Sequence, residues 1–132
     1  MNDMTATPNH GAPLWNLADL YPTPDAWSVE YARIKKAATA LDSYGGTLGK
    51  SAAAMLKALD AISRIGKETA RLYTYAGLKA DEDLSVAKDQ ERRQQAGALY
   101  TLLNERTAWL APEILELGEA KVRAFERENA EL

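Results

Sequence analysis

Arg71-Leu72-Tyr73-Thr74-Tyr75-Ala76-Gly77-Leu78-Lys79-Ala80-Asp81-Glu82-Asp83 reads as the end of a long amphipathic helix running into an acidic turn. Upstream, Met55, Leu59, Ile62, Gly66, Thr69, Tyr73 and Ala76 recur at alternating steps of four and three, with Leu56, Ile65 and Leu72 widening the stripe. That rhythm belongs to one face of a helix and cannot arise from a strand of period two. Ser51 suits the N-cap, and Lys79 to Asp83 is expected to form the turn. Gly66 falls on the seam, where it would permit close helix approach at a cost of up to ~1 kcal/mol against alanine.

The same rhythm extends outward on both sides. Toward the N-terminus, Thr23 suits an N-cap, Pro24 the first helical position and Asp25 the first turn. Trp27, Tyr31, Ile34, Ala38 and Leu41 then form one apolar stripe, closed by Gly45-Gly46. Toward the C-terminus, a third helix is expected to start near Asp83, with Asp83 or Ser85 as its cap. Its first turns, Lys88 to Gln95, are polar on every side and read as solvated or covered by something outside the chain. Ala96, Leu99, Leu102, Leu103 and Trp109 restore an apolar face. Pro112 can open a short helix carrying Ile114, Leu115 and Leu117. From Gly118 another helix carries Val122 and Phe125 and runs to Glu131-Leu132 without a stop signal, an ending expected of a piece of a longer polypeptide. Helices joined by short connections predict an all-α fold: an antiparallel up-down bundle of three to four helices. The expected organisation is a flexible leader over residues 1–13 and a single helical domain over 14–132, with Trp15, Leu17, Leu20 and Tyr21 anchoring the entry.

Composition narrows the chemistry. The 132 residues are 46% hydrophobic and 27% charged, ordinary for a globular domain. A net charge of −3 argues against general nucleic-acid binding. The basic side chains Lys35, Lys36, Lys50, Lys57, Arg64, Lys67 and Arg71 are spread over two helices and read as solvated. No apolar run approaches the ~20 residues of a membrane span. Residues 1–13 lack the basic and apolar regions of a signal peptide. With no cysteine in the chain, a reducing, cytoplasmic setting is expected.

Candidate sites are few. His10, the single histidine, lies in the polar, Gly/Pro-rich leader and reads as an exposed tail residue rather than a ligand or general base. Asp81-Glu82-Asp83 is a compact acidic cluster of the kind that attracts cations, but it lacks the twelve-residue ligand spacing of a calcium loop, and a place at a helix start would explain the charges through the dipole. Gly45-Gly46-Thr47-Leu48-Gly49-Lys50-Ser51 ends like a phosphate loop, yet a helix precedes it, and only three residues separate Gly45 from Gly49 where the motif needs four. Tyr73 is expected in the core, and Tyr75 as a half-buried tyrosine that could also line a cleft. No catalytic, cofactor-binding or metal-binding residue is assigned.

Three stretches carry a family resemblance: Trp15-Asn16-Leu17-Ala18-Asp19-Leu20-Tyr21, Arg71-Leu72-Tyr73-Thr74-Tyr75-Ala76 and Trp109-Leu110-Ala111-Pro112-Glu113-Ile114-Leu115-Glu116-Leu117. Together they resemble the N-terminal region of oligoendopeptidase F, a thimet-oligopeptidase-like zinc metallopeptidase. The resemblance covers Trp15 to Leu117. It implies a longer, mostly helical enzyme whose C-terminal part holds zinc on a His-Glu-x-x-His helix, where the glutamate activates zinc-bound water. The N-terminal helices would then wall a cleft that admits oligopeptides. Nothing in this sequence matches that motif, so the 132-residue chain is expected to bind no catalytic zinc and to cleave nothing by itself. Its implied partners are the catalytic part of the same polypeptide and an oligopeptide substrate. The competing expectation is a free-standing helical interaction module that dimerises through exposed stripe.

Overall fold

The computed structural model describes residues 16–132; His10, the leader and Trp15 lie outside the described residues. A short 3-10 turn, Leu17–Asp19, leads into α1, Pro24–Thr39. The Thr23 hydroxyl caps α1 by accepting from the Ala26 amide at 3.0 Å, with Pro24 and Asp25 in the first turn as expected. The chain tightens into a 3-10 turn, Ala40–Tyr44, and reverses through Gly46, whose φ of 84° suits glycine. Ser51 caps α2, Ala52–Glu82. Then come α3, Ala87–Arg106, α4, Leu110–Leu117, and α5, Glu119–Glu128, with Gly118 in the left-handed region between the last two.

The three long helices pack antiparallel. Trp27 on α1 meets Leu72 on α2, and Arg33 meets Glu68, so the two run in opposite directions. Asp81 meets Arg93 and Tyr73 meets Tyr100, which fixes the same relation for α2 and α3. One core, built around Trp27, Ile34, Ile65, Leu72 and Leu99, lies between α1, α2 and α3. A second core of Leu48, Ala52, Met55, Ala58 and Phe125 lies where α4 and α5 fold over the start of α2. The all-α bundle expected from the helical rhythm is therefore the fold.

Several local expectations shift. On α2 the buried residues are Ala52, Met55, Ala58, Ala61, Ile65, Thr69, Leu72, Tyr75, Ala76 and Ala80, so Met55, Ile65, Thr69, Leu72 and Ala76 of the expected stripe are buried while Leu59, Ile62 and Tyr73 are not. Ala61 and Ala76 take the seam that α1 and α3 approach, with Ile62 half-buried at its margin, while Ala58 and the half-buried Leu59 face the second core. Thr69 tolerates burial because its hydroxyl donates to the Ile65 carbonyl at 2.8 Å. Tyr73, expected in the core, is 46% exposed, and Tyr75 is buried at 3%. Gly66 does not mediate close approach: nothing stands within 4 Å of where its Cβ would be.

The boundaries move too. α2 continues through Lys79 to Glu82, and the turn is residues 83–86. α3 starts at Ala87, behind Val86, which offers no side-chain cap. Asp83 instead accepts from the amide and hydroxyl of Ser85, shaping the turn. Pro112 is the third residue of α4, and Trp109 precedes that helix rather than extending the α3 face. α5 does have a stop: it ends at Glu128, and Asn129 turns the chain, its side-chain oxygen accepting from the Glu131 amide at 3.0 Å.

Candidate functional site

Asp81, Glu82 and Asp83 close α2 rather than open a helix, so the dipole there opposes their charge. Local cations offset that opposition. Lys79 bonds Glu82 at 3.1 Å, and Arg93 approaches Asp81 at 3.4 Å. The Glu82 contact pushes the Lys79 ammonium above its usual range, while the Ser85 hydroxyl and amide hold the Asp83 carboxyl below its own. No group of three His, Cys, Asp or Glu side chains that could hold a metal ion occurs among the described residues.

The two tyrosines of the opening stretch serve different surroundings. Tyr75 packs edge-on against Tyr21 at 5.4 Å between ring centroids. Arg71 lies over the Tyr21 ring at 4.8 Å and donates to the Leu20 carbonyl, which clamps the entry segment onto α2. Burial pushes the Tyr21 phenol above its usual range, against the pull of Arg71. Tyr73 forms an edge contact at 5.3 Å with Tyr100 on the outer face of the α2–α3 pair. Of the basic side chains, Arg71 serves this clamp, and Lys35 lies 5.9 Å from the centre of the Tyr31 ring on α1. On α1 the Arg33 guanidinium bonds both Glu30 and Glu68 at 2.7 Å, and its bond to Glu30 lowers that carboxyl.

Two features escaped the reading of the sequence. Asp89 and Arg92, in the polar run of α3, form an ion pair at 2.7 Å with side chains only 10% and 12% exposed. The guanidinium also sits 5.7 Å from the centre of the Trp27 ring, so α1 supplies the cover. Only the helical spacing of an acid and a base hinted at the pair, and that spacing is equally common on solvated faces. The second feature is Glu113. Its carboxylate accepts from the Gly46 amide at 2.6 Å and the Leu48 amide at 3.0 Å, which fastens α4 to the turn between α1 and α2. The turn that ends Gly-Lys-Ser thus spends its amides on a side chain of the same chain.

One side of α4 is exposed. Leu110, Ile114 and Leu117 pack toward the second core, while Leu115 points outward at 80% exposure. A groove of about 510 Å³ lies between α4 and α5, with Glu119, Arg123 and Glu126 at its rim. Its apolar lining comes from Ile114, Leu115 and Val122. No helix among the described residues is long and apolar enough to cross a membrane.

No family model matches the chain. Among characterised relatives, oligopeptidase PepF of Bacillus subtilis is 36% identical over 118 residues, which span 89% of this chain and 18% of the relative. The plasmid-encoded oligoendopeptidase F of Lactococcus lactis subsp. cremoris is 33% identical over 106 residues, spanning 80% of this chain and 18% of the relative. The crystal structure of oligoendopeptidase-F from Enterococcus faecium superposes with a TM-score of 0.75 at 25% identity, covering 83% of this chain and 22% of that one. The chain therefore spans about one fifth of the length of the relatives it matches, and it matches their N-terminal part.

Proposed function

From its homology to the N-terminal part of oligoendopeptidase F, we infer that this chain is the helical N-terminal domain of an oligopeptide-cleaving zinc metalloendopeptidase, acting by shape rather than by chemistry. The observation that carries the reading is identity of 36% along 89% of the chain, matched to only 18% of a peptidase. The remaining four fifths of such a polypeptide would hold the metal and the catalytic groups. The donor set agrees with that division: the sequence has one histidine and no cysteine, and its described carboxylates are not grouped to hold an ion. When bound, zinc supplies an activated water and polarises the scissile carbonyl.

The contribution of this chain is a stiff wall. Antiparallel α1, α2 and α3 share one packed core, and cross-helix contacts such as Trp27 to Leu72 resist sliding. Such a wall beside a catalytic cleft excludes folded proteins sterically and leaves oligopeptides as substrates. A cytoplasmic location belongs to the same reading and rests on the absence of cysteine.

The test replaces the matching 118 residues of Bacillus subtilis PepF with this chain. The chimera is expected to cleave a quenched fluorescent oligopeptide and to leave a folded protein intact, whereas the 132-residue chain alone cleaves neither. Chelator-sensitive hydrolysis by the isolated chain refutes the non-catalytic role. A folded chimera that digests intact proteins refutes the wall.

A further inference from the structure

We propose that the α4–α5 groove is the surface on which the remainder of the peptidase docks, through an apolar segment that covers Leu115 and inserts between Ile114 and Val122. This rests on the domain reading above and deepens it by naming the contact. Five exposed apolar side chains compete for the role, and one of them, Tyr73, already packs edge-on against Tyr100. Val29 stands alone on α1, and Leu84 and Val86 sit in a turn flanked by Asp81, Glu82, Asp83 and Lys88. Leu115, by contrast, is continuous with a recess of about 510 Å³ lined by Ile114 and Val122. Its helix is held in place by the bonds from Glu113 to Gly46 and Leu48 and by the second core beneath.

The occupant follows from size and charge. The relatives are about five times longer than the aligned segment, so a domain of this kind lies against a much larger body of the same polypeptide. Glu119 and Glu126 flank the groove with Arg123 between them, and Arg123 is already engaged by Glu119 at 2.6 Å. Glu126 is the rim charge without such an engagement in the described residues, so the incoming segment is expected to pair a basic residue with it beside its apolar anchor.

The chain has no cysteine, which makes single thiols clean reporters. Leu115→Cys and Leu84→Cys are made both in the 132-residue chain and in the PepF chimera, and maleimide labelling of each peptide is followed by mass spectrometry. Because both positions are exposed, 80% and 70%, neither change disturbs the fold. Position 115 is expected to react about tenfold or more slowly in the chimera than in the isolated chain, and position 84 at the same rate within about twofold. Equal rates at 115 in the two contexts overturn the docking surface and leave the domain reading standing. A chimera that does not fold overturns the domain reading itself. Protection of 115 in the isolated chain that vanishes on dilution assigns the groove to a second copy and overturns the proposal.

Discussion

Removing one partner of the Asp89–Arg92 pair is the sharpest test of how α1 and α3 are held together. The two side chains meet at 2.7 Å with 10% and 12% exposure, and the guanidinium lies against the Trp27 ring. An exposed pair of this kind contributes about 0–1 kcal/mol. A buried pair broken on one side costs about 3–5 kcal/mol, because a charge is left without water or partner. The residual exposure pulls the expected loss for Asp89→Ala toward the lower end, about 3 kcal/mol, including the favourable place of Asp89 in the first turn of α3. In a chain of this length that is about 10 °C in melting temperature. The double variant Asp89→Ala/Arg92→Met removes the stranded charge and keeps a flexible apolar stem against Trp27, so it is expected within about 1 kcal/mol of the native chain. Urea titrations followed by circular dichroism, with the slope checked for constancy, measure both. A single variant that loses less than about 1 kcal/mol shows that water reaches the pair. A double variant as weak as the single refutes the stranded-charge argument.

Glu113→Gln keeps the shape of the side chain but turns one acceptor into a donor facing the Gly46 and Leu48 amides; the expected loss is about 2 kcal/mol, with faster hydrogen exchange at those two amides. Unchanged exchange there refutes the fastening. The pH profile should fall at both ends. Glu30 and Asp83 have folded pKa values below their unfolded ones, so their contributions are complete above about pH 5 and vanish as acid protonates them. Tyr21 and Lys79 are shifted upward, so theirs are complete below about pH 10 and vanish above it. Melting curves from pH 3 to pH 11 check the profile, and a melting temperature that rises toward either limit contradicts it.

The helices were legible because their signals are local. Thr23, Pro24 and Ser51 act within one turn of where they stand, and a single apolar stripe from Trp27 to Ala38 fixes α1. The register of α2 was harder to read. Over 31 residues its apolar positions cover more than one face, and large residues such as Leu59 and Tyr73 drew the predicted seam toward themselves. Close approach of two helices instead selects Ala61 and Ala76, residues that contribute little to any hydrophobic tally. The Asp89–Arg92 pair was invisible for a related reason: a charged pair reads as solvated until the indole that covers it is brought over from α1.

The same limit bears on function. In Leu110-Ala111-Pro112-Glu113-Ile114-Leu115-Glu116-Leu117, an apolar residue counts equally whether it fills the core or faces outward. Geometry separates them: Ile114 and Leu117 pack toward Phe125 and its neighbours, and Leu115 does not. Leaving a leucine in water forgoes about 1.5–3 kcal/mol of burial, a large share of the net stability of a small domain. One exposed leucine is ordinary on a protein surface; one that borders a preformed apolar recess, on a helix pinned by two charged hydrogen bonds, is suited to receive a neighbour. The family resemblance supplied the size of that neighbour, and only the packing of α4 against α5 supplied the place for it.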